Sequence, residues 1–139
     1  MDVRCTLSLE DHLAWYDYYL ATPEGARFRS TVPLVGVAFD KIRRWKYSRQ
    51  VTSPPSRHAL GERTLEATET GLREFSPDFS FTTAWSDIGL MAVTSNYLFL
   101  AHKSLNAHIV PLHFFGGDGH RESFISFAES HVSTDAVQK

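Results

Sequence analysis

The chain has 139 residues, 42% apolar and 22% charged, with a formal net charge of −2. That length holds one domain with an ordinary core, and so even a charge balance leaves no global field to recruit nucleic acid. A single cysteine, Cys5, excludes an intramolecular disulfide and suits a reducing, cytoplasmic setting.

Met1 to Thr6 carries acidic Asp2 and is followed by no apolar stretch, so no signal peptide is expected. A terminus this short is expected to be loose, which makes Cys5 a poor candidate for an activated thiolate. Ser8-Leu9-Glu10-Asp11 then places an N-cap serine before an acidic first turn, with Asp in the Glu position of a capping box. Leu9, Leu13, Tyr16 and Leu20 recur at helical spacing and predict a helix over 9–20, ended by Pro23 and Gly25. Trp15, Tyr16, Tyr18 and Tyr19 point in several directions around it. More than one face must therefore be covered, by the protein's own core or by a partner, and oligomerisation through this helix stays open.

Residues 26–50 hold half of the chain's fourteen Lys and Arg residues. Val35, Phe39, Ile42 and Trp45 fall on one helical face, while Lys41, Arg43, Arg44 and Lys46 lie largely elsewhere, with Arg27, Arg29 and Arg49 nearby. Two readings fit: a packed helix with a solvated charged side, or a basic amphipathic helix that meets an acidic or anionic surface. Val32 to Phe39, the longest apolar run, contains a proline and a glycine. It falls well short of the roughly 20 residues of a membrane span, so a soluble protein is expected. Val51 to Arg57, with Pro54-Pro55, reads as a linker. The expected division is thus 1–57, helices and linker; 58–132, a sheet with a closing helix; and 133–139, a frayed tail.

From Gly61 onward the pattern changes to period two. Glu62, Thr64, Glu66 and Thr68 share one parity, with Arg63, Leu65 and Ala67 on the other. Glu69-Thr70-Gly71 interrupts as a hairpin, where Gly71 is expected to supply a positive φ. Leu72–Phe75, Phe79–Thr83, Met91–Thr94, Tyr97–Ala101 and Ala107–Leu112 continue the series. Turns every eight to twelve residues predict about five to seven antiparallel strands. A short helical turn is expected at Trp85-Ser86-Asp87, and Pro111 suits a strand end. Asp118 is expected to cap a last helix whose Phe124, Phe127, Ala128 and His131 face the sheet.

No motif frames a reaction. The Gly116–Gly119 run has neither the lysine of a phosphate loop nor the spacing of a dinucleotide fingerprint, and no GxSxG elbow surrounds a serine. Seven histidines contain no HExxH, and His108 and His113 have opposite strand parity, so a structural or surface role is expected and no metal or other cofactor. A non-enzymatic protein is the reading.

The second half resembles a known family. Gly61-Glu62-Arg63-Thr64-Leu65, Thr70-Gly71-Leu72, Ala84-Trp85-Ser86-Asp87-Ile88, Tyr97-Leu98-Phe99-Leu100 and Ile109-Val110-Pro111 resemble, in this order, the YcxB-like family, over about residues 58–131. Leu7 to Leu20 is similar to that family's N-terminal helix. The resemblance implies an α+β fold: a pleckstrin-homology-like, partly open antiparallel β-barrel with a C-terminal helix, preceded by N-terminal helices. It brings no catalytic residues, because the family has no established activity. Typical members carry a hydrophobic membrane hairpin before the barrel. Here that place holds only Val32 to Phe39 among basic residues, so the hairpin is absent, either naturally or by deletion.

The functional expectation is a bacterial, non-catalytic protein-interaction domain. Its concrete version is an immunity-type inhibitor that binds and neutralises a toxin or effector, with Glu62, Glu66, Glu69 and Glu74 as an acidic partner surface. The alternative is a module peripheral to the inner membrane, in which Phe39, Lys41, Arg43, Arg44, Trp45 and Lys46 of segment 35–49 meet anionic lipid.

Overall fold

The computed structural model describes residues 1–26, 33–53, 58–104 and 106–138. Residues 54–57 of the expected linker, together with Arg27 and Arg29, lie outside the described residues, as do the side chains of 33–39. The chain divides into two compact units: Leu7–Gly61, which is helical, and Met1–Thr6 joined with Glu62–Lys139, which carries the sheets. The α+β class, the N-terminal helices and the C-terminal helix are as expected.

In the helical unit, α1 spans Leu9–Ala21. The capping box forms as the sequence predicts: Ser8 N–H donates to Asp11 Oδ2 at 2.7 Å, and Asp11 N–H to Ser8 Oγ at 3.4 Å. At the other end Thr22 Oγ1 donates to the Tyr19 carbonyl and accepts from Gly25 N–H, which turns the chain into the short α2, Pro23–Ala26. Helix α3 covers Pro33–Thr52. Tyr16 of α1 stacks on Tyr47 of α3 at 4.8 Å, and Asp17 receives the Arg44 guanidinium through both carboxylate oxygens. Part of the α1 aromatic set is therefore covered by this unit itself. Burial, then the neighbouring Tyr16, pushes the Tyr47 phenol up to about 12.

The sheet unit begins with a strand where a loose terminus was expected. In β1, Asp2–Leu7, Val3, Cys5 and Leu7 are buried and the alternate residues exposed. Period-two patterning was present in those six residues, and it places Cys5 inside. The strand is held to β2, Gly61–Thr68, by Met1 and Ala67, which exchange backbone hydrogen bonds at 2.6 and 3.0 Å. β2, β3 (Gly71–Ser76) and β4 (Phe79–Ala84) form an antiparallel meander, completing a sheet of order β1-β2-β3-β4. A second sheet follows after the expected 3₁₀ turn Trp85–Asp87: β5 (Ile88–Val93), β6 (Tyr97–His102) and β7 (Ala107–Pro111) pair antiparallel.

Two details differ from expectation. Gly71 has no positive φ; it is required because a Cβ there would lie 2.2 Å from the Thr83 carbonyl oxygen of β4. The residues expected to fray instead form a 3₁₀ turn, Thr134–Ala136, and a strand β8, Val137–Gln138, which pairs parallel with β5 and completes the order β7-β6-β5-β8. Buried Val132 and Ala136 anchor that tail. Helix α4, Asp118–His131, has Gly117 rather than Asp118 at its N-cap. It lays fully buried Phe124 and Ala128 on a core that includes Leu72, Met91, Leu98 and Val110.

Candidate functional site

Parity determines what the sheet unit puts inside. Arg63 shares its side of β2 with Leu65 and Ala67, and Glu74 shares its side of β3 with Leu72. From β4 comes Thr83, and from the second sheet His108, on the same parity of β7 as Val110. The four meet. Arg63 Nη1 donates to Glu74 Oε1 at 2.5 Å, His108 Nδ1 donates to Glu74 Oε2 at 2.5 Å, and His108 Nε2 lies 3.0 Å from Thr83 Oγ1. Their exposures are 6% for Arg63, 4% for Glu74, 8% for Thr83 and 3% for His108, so all are withdrawn from water. Burial opposes ionisation of Glu74, but the hydrogen bond and charge of His108, followed by Arg63, outweigh it and hold the carboxyl below its ordinary pKa.

Carboxylate, imidazole and hydroxyl in this order are the arrangement of a hydrolase relay. Here all three groups are withdrawn from water. The carboxylate is shared with an arginine, and the Phe81 ring stacks on the imidazole at 5.4 Å while Arg63 lies over Phe79 at 5.4 Å. The network bridges the two sheets by side chains, with the Phe81 and Phe79 rings lying against it. It is a polar brace.

This brace removes Glu74 from the expected acidic surface, because the β3 alternation turns it inward, opposite to Glu62 and Glu66. The remaining three lie outside and are paired: Glu62 with Arg4 at 3.7 Å, Glu66 with Arg73 at 3.9 Å and Glu69 with His131 at 3.0 Å. Exposed pairs of this kind contribute little to stability. His131 is nevertheless well placed to hold a proton. One ring nitrogen faces the Phe127 carbonyl at 2.8 Å and the other faces Glu69, and those hydrogen bonds raise its pKa above the ordinary value, against a smaller opposing effect of burial.

On α3 the sequence-named residues separate. Phe39 belongs to the helix by its backbone, and its side chain lies outside the described residues. Arg44 is held by Asp17, and Arg43 turns toward Tyr16, where its charge opposes the larger upward push of burial on that phenol. The inward line runs through Tyr47 and Val51, with Val51 only 6% exposed. Lys41, Ile42, Trp45, Lys46 and Arg49 point outward. Ile42 is 49% exposed and Trp45 60%, so the apolar face read from sequence is, at these two positions, the solvent face. Arg49 places its guanidinium 5.5 Å from the Trp45 ring.

An open hollow of about 340 Å³ lies between the β5–β6 turn and the start of α4, lined by Asn96, Tyr97, His113 and Arg121. Its cation Arg121 is paired with Asp118 at 2.9 Å. Among the described residues no three His, Cys, Asp or Glu side chains come together as a metal site, and no helix is long and apolar enough to cross a membrane. Arg63, Thr83 and His108 are far apart in the chain and are brought together only by the fold. The available signal was an arginine on the apolar parity of β2 with a glutamate on the apolar parity of β3. Comparison of the chain with protein-family models, curated proteins and solved structures finds no match.

Proposed function

We propose that this protein is a non-catalytic interaction domain whose binding face is the outer side of α3. The observation that carries the reading is the pair Ile42 and Trp45, 49% and 60% exposed on one helix face among Lys41, Lys46 and Arg49. Large apolar side chains grouped on a charged surface mark interaction sites. In the same reading the sheet unit is a pleckstrin-homology-like barrel of YcxB-like type, acting as a rigid cytoplasmic scaffold. Two four-stranded sheets around one core with α4 laid on it support that assignment. The burial of Glu74, His108 and Thr83 supports a structural use of this relay-like arrangement.

An immunity-type version would use the same face, since Glu74 is inside and the other three glutamates are paired. The test is a photo-reactive residue at position 45 of the full chain in its host cell, with position 93 as comparison, because Val93 is 43% exposed in the sheet unit. Adducts to protein or lipid enriched at 45 over 93 are expected. Equal or absent adducts at 45 refute the reading.

A further inference from the structure

We infer that the occupant of the α3 face is an anionic lipid surface, met by the helix lying in the membrane plane. This rests on α3 being the binding face and names what it binds. Lys41, Trp45 and Arg49 follow at i, i+4 and i+8, with Ile42 and Lys46 alongside, so the indole sits among three cations. Among the described residues no carboxylate pairs with the stripe. Asp40, the acidic residue of α3, lies on the Tyr16 side, where its charge reaches that phenol. Asp17 meets the helix at Arg44, off the stripe.

The composition separates lipid from protein as the occupant. Lysine is depleted in protein–protein interfaces, and two of the three cations of this stripe are lysines. The stripe carries only two large apolar side chains, Ile42 and Trp45, interleaved with those cations. A bilayer asks for this mixture: tryptophan is favoured at the water–hydrocarbon boundary, and Lys and Arg stems run along apolar surface while their heads stay with the headgroups. Arg49 over Trp45 already holds cation and ring together. No described helix is long and apolar enough to cross a membrane, so the contact is shallow.

The experiment is co-sedimentation of the full chain with vesicles of mixed phosphatidylcholine and phosphatidylglycerol, and with phosphatidylcholine alone. Binding to the anionic vesicles and loss of it at about 0.5 M salt are expected, since screening shortens the reach of these charges to a few ångströms. Each cation contributes about fivefold, so Lys41→Gln, Lys46→Gln and Arg49→Gln together should lower partitioning about a hundredfold. Trp45→Ser should also weaken it in anionic vesicles. Lys103→Gln, on the sheet unit, should leave it unchanged, and circular dichroism would confirm that each variant is folded. Absence of binding to anionic vesicles at low salt, or equal binding by the triple variant, overturns the inference. If vesicles fail while position 45 still captures a protein, the lipid assignment falls and the binding face stands. If position 45 captures nothing either, both fall.

Discussion

Replacing Glu74 by leucine removes the carboxylate that accepts from both Arg63 and His108, and leaves the Arg63 guanidinium inside, where its side chain is 6% exposed. Breaking a buried pair by deleting one partner costs about 3–5 kcal/mol, because the remaining charge is uncompensated. A domain has only about 5–15 kcal/mol in all, so Glu74→Leu should lower the melting temperature of the sheet unit by roughly 10 °C or more. Removing both charges, with Arg63→Met and Glu74→Leu, should recover part of that loss, since apolar replacement of the ion pair is often near neutral while buried His108 Nδ1 still loses its acceptor. The assay is urea denaturation of wild type, both single variants and the double variant, with amide exchange in β2–β4 reporting the sheet unit alone. pH supplies a second reading. Glu74's folded pKa is depressed, so its contribution is present above its unfolded pKa of about 4.3 and is lost as pH falls through the folded value. The gap between wild type and Glu74→Gln should therefore be full near neutrality and close in acid. A Glu74→Leu penalty under about 1 kcal/mol, or a double variant as unstable as the two singles summed, would refute the brace.

The other predictions concern the close backbone approach and the half-buried His131. Gly71→Ala drives a methyl to 2.2 Å from the Thr83 carbonyl; β3 and β4 must separate, and calorimetry should show a loss of about 1–3 kcal/mol. His131 has a raised folded pKa, so its contribution is complete below the unfolded value of about 6.5 and lost as pH rises through the folded one. Protection of the amides in the last turn of α4, taken relative to their base-catalysed intrinsic exchange, should step down over that rise in wild type. It should show no such step in His131→Gln.

Much of the sheet unit was legible because alternation maps directly onto inside and outside. Alternation turns Glu74 inward with Leu72, on the same face as Arg63 of the neighbouring strand, whereas its charge groups it with the surface glutamates. His108 was harder to read, since its partners lie on strands 25 and 34 residues away in sequence. Gly71 looked like a turn glycine because turns are the commonest reason for one, whereas the clash that demands it comes from β4. The rotation of α3 was not legible at all. Val35, Phe39, Ile42 and Trp45 share a face by spacing, but the stacking of Tyr47 on Tyr16 and the fork between Arg44 and Asp17 decide which side turns inward near the end of the helix.

Because β1 pairs with β2, the sheet unit is discontinuous in the chain, and the helical unit is carried between two neighbouring strands. Loop-closure entropy grows only with the logarithm of length. Holding β1 against β2 across about 55 intervening residues costs roughly 2 kcal/mol more than closing a four-residue turn would. The sheet scaffold is therefore nearly indifferent to how much chain is threaded through that opening. Closure entropy alone would let the segment between Leu7 and Gly61 vary widely in length without undoing the β1–β2 pairing.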